Sequence, residues 1–356
     1  MLQISENEVE NRLEFDNPWW GTPGIETRFA EFPKRFYFRP FCQLVSDKTV
    51  NRAVILMGPR RVGKTVMVYH AVQELMNQGV RPQNILYLSL ESPLYTGLAL
   101  EKVLGFFQKK FDHRRASDLY IFFDEIQYLV EWEVHLKSLV DSYPGYKFVA
   151  TGSAAAVLRL KSRESGAGRF TDFLLPPLTF AEYLSFIGKS DLVYPEETDH
   201  YTMEYKATNI DALNGEFVNY LNFGGYPEAV FSETIKKESA RYIKSDIIDK
   251  VLLRDLPSLY GISDIQELNR LFTTLAYNTG NEITLEELSQ SANVAKNTLK
   301  KYLEYLEAAF LVKRIHRIDL NAKTFRRATS FKVYLTNPSM RAALFGYVNV
   351  DSEAMG

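Results

Sequence analysis

The chain holds a single cysteine, Cys42, in 356 residues. That excludes an internal disulfide framework and any metal site built from a cysteine cluster, and it leaves Cys42 the role of a small buried hydrophobe. No stretch approaches the roughly 18 apolar residues that a membrane-spanning helix needs. The segment from Met1 to Asp16 is acidic and lacks the apolar centre of a secretory signal. The expected location is therefore the cytoplasm, with no membrane partner. A strong charge of one sign is missing too: 42 Lys and Arg face 44 Asp and Glu, so charge informs only once it is mapped along the chain. What is present, 46% apolar residues with 24 Phe and 21 Tyr, argues for packed globular structure over disorder. The length allows two or three domains.

The octapeptide Gly58-Pro59-Arg60-Arg61-Val62-Gly63-Lys64-Thr65 follows the apolar, β-branched run Ala53 to Met57. It matches G-x-x-x-x-G-K-[ST], the loop that wraps the phosphates of a nucleoside triphosphate. A chance match in a chain of this length arises on the order of once in a hundred. The flanks lower that risk, because Val66, Met67, His70, Ala71 and Leu75 recur at helical spacing after the loop. Glycines let backbone N–H groups converge on phosphate oxygens, and the helix N-terminus adds its open N–H groups and positive dipole end. Lys64 is placed to reach the β- and γ-phosphates, and Thr65 to offer its hydroxyl to Mg²⁺. The expected ligands are ATP and Mg²⁺.

A second element separates hydrolysis from storage. Leu119 to Phe123 is an apolar run closed by Asp124 and Glu125, as a buried parallel strand ends at a ligand crevice. Asp124 is the expected Mg²⁺ holder, and Glu125 the general base that polarises the attacking water. Around these, Asn84 to Leu90 reads as a strand, Ala99 to Phe111 and Glu131 to Ser142 as helices, and Tyr146 to Ala150 as a further strand ending in Thr151-Gly152-Ser153. A polar side chain at that tip can lie between water and γ-phosphate. Ser153 is the first choice and Thr151 the second, and N-capping of a helix over 154–160 is the competing role for Ser153. In Ser165-Gly166-Ala167-Gly168-Arg169, before a strand from Phe170 to Leu175, Arg169 is placed as a finger for a self-associated neighbour's nucleotide. Its competing role is a surface pair with Asp172 or Glu164.

These residues together resemble the prokaryotic AAA+ ATPases whose core is followed by a winged helix and, in longer members, a restriction-endonuclease-like module. The resemblance rests on the phosphate loop, Asp124-Glu125-Ile126-Gln127, Thr151-Gly152-Ser153 and Gly168-Arg169. It extends through the run Leu175 to Tyr183, Phe223-Gly224-Gly225-Tyr226-Pro227-Glu228 and Arg254-Asp255-Leu256. It implies an α/β P-loop core (AAA+/ASCE) with a parallel sheet and helices on both faces, then a helical lid and a winged helix-turn-helix domain. Many members continue Phe331-Lys332-Val333-Tyr334 with an Asp and a Gly where this chain has Asn337 and Ser339. The nuclease-like module is expected to be truncated or absent, and no nuclease activity carries over.

The organisation read from the sequence is an aromatic arm (1–48), the ATPase core (49–187), a lid or connector (188–258), a winged helix-turn-helix (259–320) and the start of a C-terminal module (321–356). In the arm, Trp19, Trp20, Phe29, Phe32, Phe36, Tyr37, Phe38 and Phe41 are expected to pack on the core, with Phe36 or Tyr37 against adenine as the alternative. Gly224-Gly225 before Tyr226-Pro227 reads as a sharp turn. Thr284 with Glu287 forms a capping box, and a longer helix follows from Lys296. Its Lys296, Asn297, Lys300 and Lys301, with Lys313 and Arg314 on the wing strand, are the candidate contacts to duplex DNA over 281–332. Ten Lys and Arg against three acids between Lys296 and Lys332 support that reading. Docking of a protein partner is the alternative for the same module.

Overall fold

The computed structural model describes residues 5–95, 98–153, 168–197, 203–316 and 330–349. The expected helix over 154–160, Glu164 and the residues 165–167 of the glycine loop lie outside these, as do Arg317, Lys323, Arg326 and Arg327 of the basic segment. The chain divides into two compact units: Met1–Gly58 with Gly63–Leu175, and Pro59–Val62 with Pro176–Gly356. Among the described residues no helix is long and apolar enough to cross a membrane.

The first unit is built on five strands, β1 (Ala53–Met57), β2 (Ile85–Ser89), β3 (Leu119–Asp124), β4 (Tyr146–Gly152) and β5 (Phe170–Leu174), in the spatial order β2-β3-β4-β1-β5. Every neighbouring pair is parallel. β1, β3 and β4 are buried at each position, which is why their sequences are apolar without alternation. Helices α1 (Glu6–Asp16), α2 (Phe38–Ser46), α3 (Lys64–Asn77), α4 (Leu100–Phe111) and α5 (Trp132–Ser142) belong to the same unit. β4 lies between β1 and β3. Its tip therefore stands between the loop that leaves β1 and the acids that close β3.

The aromatic arm covers the free edge of β2. The Asn17 side chain donates to the Tyr87 carbonyl (2.9 Å) and accepts from the Tyr87 N–H (2.6 Å), adding one rung where a further strand could pair. The indole N–H groups of Trp19 and Trp20 both donate to the Ile85 carbonyl, at 3.2 and 2.8 Å. Trp20 stacks on Phe107, Phe29 on Tyr69, and Phe41 packs against Phe173. Phe32 and Phe36, expected to pack with the others, are exposed, and the Arg35 guanidinium lies over the Tyr37 ring.

The second unit opens with α6 (Phe180–Phe186), capped by a Thr179–Glu182 box. It continues with an antiparallel hairpin of β6 (Val193–Glu197) and β7 (Met203–Ala207), and with α7 (Ile210–Asn219). Gly224 and Gly225 fall at the expected turn between helical segments: a π-helical segment ends at Gly224, Gly225 is a turn residue and a helix resumes at Pro227, yet neither glycine has positive φ and Gly225 stays right-handed at φ −78°. They are glycines because of crowding. A Cβ on Gly224 would stand 2.7 Å from the Tyr220 ring, and one on Gly225 only 1.5 Å from Nδ2 of the fully buried Asn337. The helical stretch from residue 239 to 260 includes two π-helical segments and buries Ile243, Ile247, Val251 and Leu252.

Beyond it lie α8 (Ile265–Tyr277), β8 (Glu282–Thr284), α9 (Leu285–Ala292), α10 (Lys296–Ala308), β9 (Val312–His316), β10 (Ser330–Leu335) and α11 (Ser339–Phe345). The Thr284–Glu287 capping box is present. Asn293 then takes a left-handed φ of 53°, ending α9 before α10 begins. β10 sits between β8 and β9 and pairs antiparallel with both. Phe331 to Tyr334, read from the sequence as the opening of a further module, thus supply the middle strand of the sheet that residues 282–316 begin.

Candidate nucleotide site

The loop from Gly58 to Thr65 joins β1 to α3. Two of its residues lie in the left-handed region, Arg61 (φ 64°) and Gly63 (φ 93°). Gly63 takes that conformation without a Cβ penalty and forms the N-cap of α3 with no side-chain cap. The first N–H groups of α3 are thus left for a ligand. Lys64 is buried, with its Nζ donating to the Gly58 carbonyl (3.1 Å). The ammonium lies back against the loop.

The hydroxyl of Thr65 donates to Oδ2 of Asp124 at 2.9 Å. Two more hydroxyls reach the same carboxylate: Tyr87 donates to Oδ2 (2.8 Å) and Thr151 to Oδ1. Asp124 is buried, and burial, followed by the negative charge of Glu125, raises its pKa above the usual carboxylate value against the pull of these three donors. A desolvated carboxylate ringed by neutral hydroxyls, one of them at the start of the helix that follows the loop, is a hard oxygen site that suits a divalent cation such as Mg²⁺. The residues fit the ion that the sequence implies.

Glu125 follows with φ 55°, an uncommon conformation for a residue with a side chain. Its N–H donates to Thr151 Oγ1 (2.9 Å), and Gln127 Nε2 donates to its carboxylate. Ser153 N–H in turn donates to Gln127 Oε1 (3.3 Å). Thr151, the second choice at the β4 tip, is therefore the side chain that bonds both acidic residues. Ser153 joins through its backbone. The sequence reading does not single out Tyr87 or Gln127 as site residues.

Pro59 to Val62 fall in the second unit, and so do the partners of the two loop arginines. Arg60 donates to Asp255 (2.8 Å). Arg61 donates to both oxygens of Glu228 (2.9 and 2.8 Å) and stands 3.6 Å from Asp246. Glu228 also accepts from the Tyr242 hydroxyl at 2.6 Å. Glu228 and Asp255 are the acids of two sequence motifs to which the sequence reading assigns no role.

Arg169 stands at the opposite edge of the sheet from the phosphate loop. Its carbonyl accepts from Ala53 N–H at the start of β1 (2.9 Å), and five strand residues, about 16 Å, separate that level from the loop. The half-exposed side chain pairs with Asp141 at the end of α5, where the sequence suggested Asp172 or Glu164.

In the second unit, Lys296, Asn297, Lys300 and Lys301 are exposed along the N-terminal half of α10, and Lys313 is exposed on β9. Lys296 pairs with Glu286 at 2.9 Å. Arg314 is different: its backbone N–H and Nε both bond Glu307 (2.9 and 2.7 Å), and its side chain is only 19% exposed. It ties β9 to α10 and does not offer its charge outward.

A five-stranded parallel sheet in this order, a glycine loop at the end of β1 and an acid pair at the end of β3 define a P-loop nucleotide-binding fold. A family described as an AAA domain matches residues 50–184, and one described as a domain of unknown function (DUF8612) matches residues 214–351. Residues 50–184 are thus similar to that AAA-domain family, in keeping with the P-loop fold of the first unit. An uncharacterized protein of Haemophilus influenzae is 27% identical over 312 residues, 85% of this chain and 72% of that one. An uncharacterized protein of Methanocaldococcus jannaschii is 26% identical over 281 residues, 77% of this chain and 58% of that one, so the match leaves a large part of that relative uncovered. Among solved structures, the replication initiator DnaA bound to AMPPCP and single-stranded DNA aligns with 80% of this chain and 92% of its own, at 13% identity and a TM-score of 0.34.

Proposed function

We propose that the chain binds ATP with Mg²⁺ and hydrolyses it, and that it contacts duplex DNA through α10. The observation that carries the reading is the convergence of Thr65, Thr151 and Tyr87 on Asp124 beside Glu125, next to the loop that carries Lys64. Gly58 to Thr65 cradle the phosphates, with Lys64 leaving the Gly58 carbonyl for the β- and γ-oxygens. Thr65 and Asp124 would hold Mg²⁺, which would supply charge neutralisation at those oxygens. Glu125 takes the proton of the attacking water, oriented by its bonds to Thr151 and Gln127. Ser153, at the tip of β4, remains the candidate to line up water and γ-phosphate.

Arg169 cannot serve its own chain's phosphates from the far edge of the sheet, which supports a role at a neighbour's nucleotide on self-association. The ATPase rate should then rise more than linearly with protein concentration, and Arg169→Ala should return it to simple proportionality while nucleotide affinity stays unchanged. A rate proportional to wild-type concentration throughout would contradict the finger role.

The order helix, strand, helix, helix, strand, strand from 265 to 335 supports a winged helix-turn-helix. Its candidate DNA face is Lys296, Asn297, Lys300, Lys301 and Lys313, without Arg314. Replacing Lys300 and Lys301 together by Ala is expected to weaken binding to any duplex and to flatten the log–log salt dependence by about 2 units. An unchanged slope in an anisotropy titration would remove this face. A second reading, a nucleotide-controlled switch docking a protein partner, is favoured by the pairs Lys296–Glu286 and Arg314–Glu307, which neutralise part of the basic surface. ATPase rates with and without duplex DNA separate the two: stimulation supports the first, and slow, DNA-independent turnover the second.

A further inference from the structure

We infer that Tyr87 is a positioning residue for the metal-binding carboxylate, and that the N-terminal arm holds it there through Asn17. The inference rests on the nucleotide reading above and extends it to residues outside every motif named so far. Its geometry lies wholly within the first unit.

Asp124 carries three hydroxyl donors, but they are not equivalent. Thr65 belongs to the phosphate loop and is itself a candidate metal ligand, so its hydroxyl would donate to Asp124 while also offering an oxygen lone pair to a cation. Thr151 shares its hydroxyl with the Glu125 N–H, accepting there while donating to Oδ1. Tyr87 has no such second duty to the loop. Its hydroxyl donates to Oδ2, the oxygen Thr65 also uses, and its ring is buried with the Tyr69 ring 5.0 Å away. The phenol has a single O–H, and it is given to Oδ2 of Asp124. That bond takes one Oδ2 lone pair and so bears on which carboxylate lone pairs are left to face the phosphate loop.

The backbone that carries Tyr87 is fixed from outside the sheet. β2 is an edge strand, and an edge strand has one unpaired row of N–H and C=O groups. Both polar groups of Tyr87 in that row are taken by the Asn17 amide, and the Ile85 carbonyl two residues earlier is taken by Trp19 and Trp20. The arm thus sets the level of β2 against β3, and through the Tyr87 hydroxyl it sets Asp124. This gives the arm a task beyond covering apolar surface.

The test uses the whole chain and measures ATP binding by calorimetry in EDTA and across a MgCl₂ titration, with ATPase rate alongside. Tyr87→Phe removes one oxygen and keeps the ring. It is expected to leave the affinity in EDTA within about twofold of wild type, and to raise the Mg²⁺ concentration for half-maximal tightening by about tenfold, the scale of one hydrogen bond to a charged group. Asn17→Ala is expected to move the same midpoint in the same direction by a smaller factor. An unchanged Mg²⁺ midpoint in Tyr87→Phe overturns the inference. So does an equal loss of affinity with and without Mg²⁺, which marks a merely structural role. A shift in Tyr87→Phe with none in Asn17→Ala overturns the part given to the arm. If the wild type binds no ATP under either condition, the nucleotide reading itself fails and this inference with it.

Discussion

Lys64→Ala is expected to bind MgATP about a hundredfold more weakly than the wild type, the largest loss any single substitution in this chain should cause. The ammonium is the full positive charge that α3 places at the loop, and a charge-assisted bond to phosphate in a buried site is among the strongest polar contacts. Lys64 is buried and bonds the Gly58 carbonyl. Its replacement by Ala relieves the cost of keeping an ammonium out of water, which offsets the bonds that are lost. The fold should survive, so a melting curve close to that of the wild type is part of the expected result. Near-normal affinity in the variant would mean that the loop does not grip phosphate through this residue.

Glu125→Gln is the second. The substitution keeps size and shape, and the amide oxygen can still accept from Gln127 while the backbone N–H still donates to Thr151. Affinity for MgATP should stay within about twofold, whereas the turnover rate should fall by roughly 10²–10⁴, the range that general-base catalysis contributes. The split between binding and rate is the diagnostic feature. A variant that hydrolyses ATP within a few-fold of wild type would assign the base elsewhere, and one that also loses binding would make Glu125 structural.

Much of this site is legible in the sequence because its chemistry is local. The β1 strand is found at Ala53 to Met57, the glycine loop follows at once, and the acids stand at the end of a continuous apolar run. The same reasoning stops β4 at Ala150, where hydrophobicity ends, although the parallel ladder with β1 continues through Thr151 and Gly152. That extension is what puts Thr151 opposite Asp124. Tyr87 escapes notice for a related reason. In an apolar strand a tyrosine reads as core, and only the long-range register of β2 on β3 brings its hydroxyl to a carboxylate 37 positions away.

Other misses share that cause. The Gly224-Gly225 pair announces the turn that is found there, but not the close approach of Tyr183, Tyr220 and Asn337 that requires glycine, two of them distant in sequence. The alternation of Phe331, Val333 and Leu335 announces a strand, but nothing in it names β8 and β9 as partners. Glu228 and Asp255 stand out as motif acids, while their bonding to Arg61 and Arg60 depends on tertiary structure. Periodicity reports which face of an element is apolar. It does not report which charged tips meet.

The central claim is that the loop from Gly58 to Thr65, with Asp124 beside it, holds a nucleoside triphosphate and its cation. Titrating the purified chain with ATP in the presence of MgCl₂ by calorimetry tests it most directly. The account predicts a saturable heat with one site per chain, all but lost in Lys64→Ala and retained in Glu125→Gln. No measurable heat of binding from the folded wild-type chain would contradict it.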